Sequence, residues 1–265
     1  MSFTDKKISE VYKDILHTDN SNTGISSSIK QVTCGDGDLT ALSLSTQNVK
    51  AQPDTDSTTN TAIYDADGNA LVTVDSTNDL VKLGIGQHTA NTQYANFGVG
   101  ASDSLSYVAN THYPMPFSGV SIGSFGIQDN ITFGTGTDPA TTFTTADHAA
   151  ADASLLVPVM WFVPDNITID GVTSFEGATA ATGDTTRMHL FSYTFASGST
   201  SALTSGTLLA HNSDVTNAGS EQAYKSTWTV DSASVDANKV ILAFFRSDSV
   251  NSDYSVSITV KYHLR

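Results

Sequence analysis

Ten residues near the end of the sequence alternate strictly between polar and apolar side chains. They are Ser255, Val256, Ser257, Ile258, Thr259, Val260, Lys261, Tyr262, His263 and Leu264. Successive side chains of a β-strand point to opposite faces, so this pattern predicts a strand with one buried and one solvated face. Such a strand is typical of the half-buried edge of a β-sandwich.

Other stretches of the C-terminal two-thirds also have the character of strands. Lys239 to Phe245, KVILAFF, predicts a buried strand, and residues 187–195 and 224–230 alternate. Leu155 to Val163 is strongly apolar, but Pro158 and Pro164 exclude a long helix and place this stretch at a strand edge or bulge. Several strands of this length, with turns between them, predict an antiparallel β-sandwich of jelly-roll type.

The composition agrees with short strands joined by polar turns. Charged residues make up 15% of the chain and hydrophobic residues 39%, and Ser, Thr, Asn and Gly are frequent in place of the charged residues that long helices use. The 39% hydrophobic content is enough to form a core, so a wholly disordered chain is excluded.

The first segment carries the best helical pattern in the chain. Its apolar side chains recur at offsets of three and four and form one stripe, namely Ile8, Val11, Tyr12, Ile15 and Leu16. A helix of about a dozen residues is marginal in water without a partner surface. We therefore predict a short amphipathic helix that packs on its own domain, on copies of itself or on another protein.

A ten-residue quasi-repeat follows in the middle of the sequence. Residues 65–71, DADGNAL, align with residues 75–81, DSTNDLV, and each copy is a polar turn followed by a short strand. The pattern predicts a three-stranded meander near residues 61–64, 70–74 and 80–83. Strands this polar bury little by themselves, so we expect them to need neighbours from this chain or from other copies.

These patterns together predict a mainly β protein in three parts. Residues 1–27 form an N-terminal helix or docking segment, residues 28–100 a small β-meander domain, and residues 101–265 a jelly-roll-like β-sandwich. We place the junction between the two β domains near residues 84–105.

Motifs for chemistry are weak. Asp65, Asp67 and Asn69 match the first ligand positions of a calcium loop, but Ala70 stands where that loop requires Gly and Ser76 where it requires Glu. The Asp-Gly pair favours a hairpin tip, with weak cation binding as the alternative. Residues 119–123, GVSIG, match G-x-S-x-G, but the sequence after them cannot continue as the helix that a nucleophile elbow needs.

The remaining candidates do not form a motif either. The seven histidines are dispersed, without H-x-H or H-x-x-x-H spacing. We therefore predict no catalytic residue, no metal site and no cofactor, and we do not expect an enzyme. Carboxylate pairs that meet only in the fold stay open, so a polysaccharide hydrolase is the third hypothesis.

Charge and targeting signals limit the partners. The formal net charge of −15 argues against nucleic acid or an anionic membrane as a partner. The single cysteine, Cys34, provides no intrachain disulfide. The first residues, MSFTDKKISEVYKDILH, lack the apolar run of a signal peptide, and no stretch approaches 18 apolar residues. We expect synthesis in the cytoplasm and no insertion into a membrane.

Three stretches together resemble a known class of protein. They are KISEVYKDILHTDNSNTGI, IYDADGNALVTVDSTNDLVKLGIGQHT and SDSVNSDYSVSITVKYHLR. They resemble virion proteins of tailed bacteriophages from marine environments, of the fibre or head-decoration type. The resemblance implies a homotrimer, an N-terminal region that docks on the capsid or tail, and a C-terminal β domain that faces outward. It also implies release by lysis and location in the virion, but no receptor-binding residues.

Two hypotheses of different class therefore lead. The first is a phage virion structural protein, a trimeric fibre or capsid-decoration subunit whose sandwich attaches to a host surface. The second is a carbohydrate-binding β-sandwich module, in which Trp161, Trp228 or Tyr254 would stack on a surface glycan. A position of these aromatic rings in the core or in an interface is the alternative to that role.

Overall fold

The computed structural model describes residues 15–18, 24–100, 108–118, 131–144, 156–179, 182–219, 221–249 and 253–265. The chain divides into two compact units, Met1–Ala90 and Asn91–Arg265. Its described residues are mainly β, and every strand pairing among them is antiparallel. Their one helical segment is a 3₁₀ turn at Val157–Val159. No helix in this described part has the length and hydropathy needed to cross a membrane.

The described part of the first unit forms two four-stranded sheets, each with its strands in sequential order. The strands of the first sheet are β1 His17–Thr18, β2 Lys30–Thr33, β3 Leu39–Leu44 and β4 Val49–Ala51. Those of the second are β5 Thr61–Tyr64, β6 Ala70–Asp75, β7 Leu80–Leu83 and β8 His88–Thr89. Short polar turns connect β2 to β3, β3 to β4 and the successive strands of the second sheet, as the composition predicts.

The N-terminal helix is not seen in the described residues. Ile8, Val11 and Tyr12 lie outside those residues. Ile15 and Leu16 are described and are not helical, and the chain passes directly into β1. Pairing of β1 with β2 gives the backbone of His17 and Thr18 an extended conformation. An isolated helix of this length is only marginally stable in water. At His17 and Thr18, pairing of β1 with β2 therefore prevails over helix formation.

The predicted meander is confirmed, with strand bounds within one residue of those expected. The DADGN stretch is the hairpin tip between β5 and β6. Asp65 Oδ1 accepts from the backbone N–H groups of Asp67 at 3.0 Å and Asn69 at 2.8 Å. Gly68 has φ +84°, a conformation that favours glycine. The hydrogen bonds lower the pKa of Asp65, chiefly through Asn69. This carboxylate therefore shapes its own turn.

The second turn of the repeat works in the same way. Asp75 accepts hydrogen bonds from Lys82 Nζ at 2.7 Å and from the backbone N–H of Asn78 at 3.0 Å. The Lys82 and Asn78 hydrogen bonds lower the pKa of Asp75 to about 2. The two aspartates that begin the quasi-repeat thus hold successive hairpins.

The described residues of the second unit form twelve strands. They are β9 Thr92–Val99, β10 Tyr113–Pro114, β11 Trp161–Val163, β12 Ile167–Thr179, β13 Thr185–Phe195, β14 Leu203–His211, β15 Val215–Thr216, β16 Glu221–Thr227, β17 Thr229–Val230, β18 Ser234–Val235, β19 Lys239–Ser247 and β20 Asp253–Leu264. A seven-stranded sheet has the order β10-β19-β13-β14-β17, with β11 added on β19 and β15 on β13. A five-stranded sheet has the order β16-β12-β20-β9, with β18 added on β12.

Two clusters of buried side chains lie against the seven-stranded sheet. The larger cluster includes residues of both sheets, such as Leu190 and Ile241 of the seven-stranded sheet and Val172 and Ile258 of the five-stranded sheet. The smaller cluster takes alternate residues of β13 and β19 together with residues 131–143 and 156–159. Strand β19 is therefore buried on both faces, which explains the unbroken apolar run KVILAFF.

The predicted C-terminal strand forms, but it lies inside its sheet and not at the edge. The alternating strand is confirmed as β20, with Val256, Ile258 and Val260 buried. It is not an edge strand, because it pairs with β12 on one side and β9 on the other. The alternation reports one solvated face and carries no information about the number of neighbouring strands. Strand β9, which lies within residues 28–100, belongs to this second unit.

Candidate functional site

A polar pocket of about 280 Å³ lies where β13 and β19 meet the loops beside them. The side chains that shape its chemistry are those of Asn110, Thr185, Arg187, Asp214, Arg246 and Asp248. We call it the arginine pocket. Strands β13 and β19 form one side of the pocket, and both continue into the buried centre of the seven-stranded sheet.

Two arginines stand directly opposite each other in this pocket. Arg187 on β13 pairs in register with Arg246 on β19. Like charges directly opposite each other in an antiparallel pair destabilise the sheet. The chain has only 12 Lys and Arg residues against 27 Asp and Glu. This pairing therefore needs a compensating partner.

The two guanidinium groups are only partly satisfied within the chain. Arg246 donates from Nη2 to Asn110 Oδ1 at 2.9 Å and from Nε to the Asn110 carbonyl at 3.3 Å, and both acceptors are neutral. Arg187 Nη1 lies 3.3 Å from Oδ1 of Asp214, a side chain that is 57% exposed. Arg187 Nε is buried without a hydrogen-bond partner. A buried donor left unpaired costs about 1–3 kcal/mol.

Asp248 belongs to the frame of the pocket. Its Oδ1 accepts from the Thr185 backbone N–H at 2.7 Å, and its own backbone N–H donates to the Thr185 carbonyl at 3.0 Å. These contacts hold Thr185, the first residue of β13, against Asp248, the residue that follows β19. Asp214 and Asp248 together place two carboxylates beside the two guanidinium groups.

Three histidines lie next along the same sheet. His189 follows Arg187 at the next position on that face of β13, and it pairs in register with His211 of β14. The rings of His112 and His189 are 5.0 Å apart, and those of His189 and His211 are 6.4 Å apart. His211 Nδ1 bonds Asp231 Oδ2 at 2.8 Å. The fold thus gathers three of the dispersed histidines.

His189 is the most unusual of the three. Its side chain is fully buried, and neither ring nitrogen has a hydrogen-bond partner. Its Nε2 lies 3.4 Å from Oδ1 of Asp138 without hydrogen-bond geometry. Burial, followed by repulsion from His112 and Arg187, lowers the pKa of His189 to about 2. Burial also lowers the pKa of His112. Both rings are therefore neutral near pH 7.

A buried carboxyl lies directly behind the arginine pocket. Glu176 on β12 is almost fully buried, and both its oxygens accept from Thr186 Oγ1 at 2.9 Å. Thr186 also lines the pocket. Burial raises the pKa of Glu176 to about 7, against the opposing effect of the Thr186 hydrogen bond. This contact joins the five-stranded sheet to the seven-stranded sheet.

The aromatic residues considered for surface recognition lie in the core. Trp161, Trp228 and Tyr254 are 7%, 5% and 1% exposed. Trp161 stacks on Phe117 with ring centroids 5.9 Å apart, and Trp228 Nε1 donates to Ser174 Oγ at 2.9 Å. None of the three presents a ring face to a sugar, because each ring packs against neighbouring strands. The predicted docking stripe is represented in the described residues by Ile15 and Leu16 alone, and Leu16 is exposed.

The other motifs contribute nothing to this site. No group of three or more His, Cys, Asp or Glu residues in the described ranges is arranged to hold a metal ion. The GVSIG stretch lies outside those ranges.

Sequence reasoning missed the arginine pocket. Its members Asn110 and Arg246 are 136 positions apart, and no spacing rule connects them. The available signal was the rarity of arginine: Arg187 and Arg246 each adjoin a strongly apolar stretch. Only the register of β13 against β19 shows that these two arginines lie opposite each other.

Comparisons with known proteins add little to this geometry. No protein-family model matches the chain, and no curated protein matches it. Among solved structures, the chain is similar at low level to an aminopeptidase from the marine sediment archaeon Thaumarchaeota archaeon, with a TM-score of 0.32 and 7% sequence identity. The match covers 72% of this chain and 40% of the aminopeptidase. A likeness this weak carries no argument about fold or activity.

Proposed function

We propose that this protein is a structural and attachment subunit of a tailed-phage virion, either a trimeric fibre or a capsid-decoration subunit. One observation carries the proposal: the two thin sheets of the first unit leave apolar side chains uncovered. Val32 is the one large apolar side chain of this unit that is buried in the described residues. Sheets this thin need packing partners for stability.

The second thin sheet shows the uncovered face most clearly. Pairing places Val72 opposite both Ile63 and Leu83, and Val74 opposite Val81, so these five side chains share one face. We call it the meander face. Ile63, Val81 and Leu83 are 58%, 42% and 44% exposed. A contiguous apolar face of this kind marks an interaction site.

The first thin sheet has the same property. Leu42 and Leu44 share a face of β3, and Leu44 pairs with Val49 of β4. Leu39, Leu42 and Val49 are all exposed. Two successive sheets with uncovered apolar side chains support association along the whole first unit. We propose that two further copies of this chain cover them.

The second unit supplies the attachment body. We propose that its two sheets pack face to face as a jelly-roll-like β-sandwich. The buried cluster shared by both sheets and the Glu176–Thr186 hydrogen bonds support this arrangement. Its core is formed within the unit, where large aromatic side chains such as Phe97, Tyr193 and Phe244 are fully buried.

Mass in solution tests the oligomeric part of this proposal. Three copies of a 27.9 kDa chain give 3 × 27.9, about 84 kDa. We expect that mass by sedimentation equilibrium of the full chain. A stable monomer at micromolar concentration would overturn the trimer.

Particle composition tests the virion part. Purified phage particles, probed with an antibody raised against the full chain, should carry the label at a fixed position on the head or tail. Particles that infect normally and contain none of the chain would remove the virion role.

A carbohydrate-binding module is the second candidate function. The arginine pocket favours it, because convergent polar groups in a small cavity are typical of ligand sites. A monomer that binds saccharides would support this candidate over the trimeric virion subunit.

A further inference from the structure

We propose that the arginine pocket binds the carboxylate of an acidic saccharide, with Arg187 and Arg246 as the recognition pair. The inference deepens the attachment role proposed for the second unit, and it rests on that role only for the biological source of the ligand. Every residue of the arginine pocket belongs to the second unit.

The opposed arginines define the charge of the ligand. Arg187 and Arg246 face each other in register. No ion pair among the described residues includes Arg246. A guanidinium group offers five N–H donors in a planar fork that fits a carboxylate. A carboxylate placed between the two forks would relieve their mutual repulsion.

Free donors remain on both side chains. Asn110 uses the Nε and one Nη2 donor of Arg246, while Asp214 takes one donor from Arg187 Nη1. The contact with Asp214 is long and solvent-accessible, and such exposed pairs are easily replaced. An entering carboxylate can therefore displace Asp214 from Arg187.

The neighbouring acidic side chains limit the ligand to a single negative charge with hydroxyl groups. Asp214 and Asp248 would repel a phosphate dianion. Each uses Oδ1 in the contacts described above, and each can accept a hydroxyl hydrogen at its other oxygen. A sugar acid supplies one carboxylate and several hydroxyl donors.

The size of the pocket agrees with one sugar ring. Its volume is about 280 Å³, just below the range of about 300–1,000 Å³ for sites that hold drug-sized ligands. Binding of a longer acidic chain would place one residue here and the others outside.

Isothermal titration of the full chain tests the proposal with three probes at one ionic strength: D-glucuronate, D-glucose and inorganic phosphate. We expect glucuronate to bind, with glucose and phosphate each roughly tenfold weaker or more. Phosphate binding as tight as glucuronate would overturn the saccharide assignment. No detectable binding of glucuronate at millimolar concentration would overturn the site.

Substitutions test the residues. Arg187→Gln and Arg246→Gln should each weaken glucuronate binding roughly tenfold or more. Asp214→Asn should strengthen it roughly twofold to fivefold, because the competing carboxylate is gone. This opposite change keeps the test decisive even where an arginine variant folds poorly. Equal or weaker binding by Asp214→Asn contradicts the proposal.

Lys225→Gln is the matched control. Lys225 is an exposed cation on β16 of the five-stranded sheet, so its loss changes the net charge without touching the pocket. Its glucuronate affinity should equal that of the parent chain, and a loss equal to that of the arginine variants would overturn specific recognition. Mass measured on the same preparations separates the two proposals: a trimer without glucuronate binding refutes the site alone, and a monomer with binding refutes the trimer alone.

Discussion

At the scale of single residues, Glu176 connects folding to pH. Burial raises its pKa to about 7 in the folded chain, against an ordinary value of 4.5 for a glutamate side chain. The folded state therefore holds a proton that the unfolded chain releases between these values, and stability falls as pH rises from 4.5 to 7. Above pH 7 the full cost of the buried charge is present.

Replacing Glu176 by Gln should remove that cost. We expect Glu176→Gln to raise the free energy of unfolding at pH 8 by roughly 2–3 kcal/mol and to have little effect at pH 4.5. Urea unfolding at the two pH values measures it. Glu221→Gln, at an exposed position of β16, is the control and should change neither value. An equal effect of Glu176→Gln at both pH values would refute the buried-acid explanation.

His189 acts in the opposite direction. Its pKa is lowered from 6.5 to about 2, so the unfolded chain binds a proton that the folded chain refuses. Stability is complete above pH 6.5 and falls as pH decreases below it. The groups that face this ring are His112, His211, Arg187, Arg246 and Asp138.

An apolar ring at this position should make the protein more tolerant of acid. We expect His189→Phe to reduce the loss of stability between pH 7 and pH 5 by about 2 kcal/mol. Thermal unfolding of the second unit across this range measures the change. His88→Phe, at an exposed site in β8, should leave the slope as it is. An unchanged slope in His189→Phe would assign the acid sensitivity elsewhere.

At the scale of elements, the packing of strand β14 requires a glycine at position 206. A Cβ atom on Gly206 would lie 2.6 Å from Tyr193 Cε1 and 2.8 Å from the Thr141 backbone Cα. Both distances are shorter than any normal contact, so the loop at residue 141 or the Tyr193 ring must move. The close approach of Gly206 to Thr141 packs residues 131–143 against the seven-stranded sheet.

Gly206→Ala should therefore destabilise the second unit by about 1–3 kcal/mol. Chemical denaturation measures the loss. Gly177→Ala on β12 is the control, because a Cβ at Gly177 meets nothing within 4 Å. Equal stability of the two variants would show that the loop yields without cost.

Elements were predictable where the local pattern decides the structure. The turn residues of DADGN and DSTND locate the hairpins, and the apolar run KVILAFF indicates a strand buried on both faces. Alternation alone does not distinguish an edge strand from an inner one. The prediction of an edge strand was therefore wrong for β20, which pairs with strands on both sides. The arginine pocket could not be predicted from the sequence, because Arg187 and Arg246 come together only through the register of β13 against β19.

At the scale of the whole molecule, the proposed trimer depends on the meander face. Val81 belongs to this face, two residues from Leu83 on β7 and directly opposite Val74 on β6. A carboxylate at Val81 would be desolvated by a neighbouring copy. An uncovered face in a monomer would tolerate it, since Val81 is already 42% exposed.

Val81→Asp should convert the proposed trimer into monomers at micromolar concentration without unfolding the second unit. Sedimentation velocity gives the mass, and circular dichroism reports the retained strands. Thr77→Asp adds the same charge at an exposed turn position and should stay trimeric. A Val81→Asp protein that keeps the mass of the parent trimer would exclude the meander face as the interface.

Pairing of β9 with β20 makes the second unit slow to complete. Asn91, just before β9, bonds Leu264 across 173 positions of sequence. During synthesis at about 5–20 residues per second, β9 waits on the order of ten seconds or more for its partner strand to emerge from the ribosome. Until then the unpaired backbone N–H and C=O groups of β9 are open to pairing with neighbouring chains on the same messenger RNA. Yield in the cell should therefore depend on translation speed and chaperone supply as much as on the stability of the finished fold.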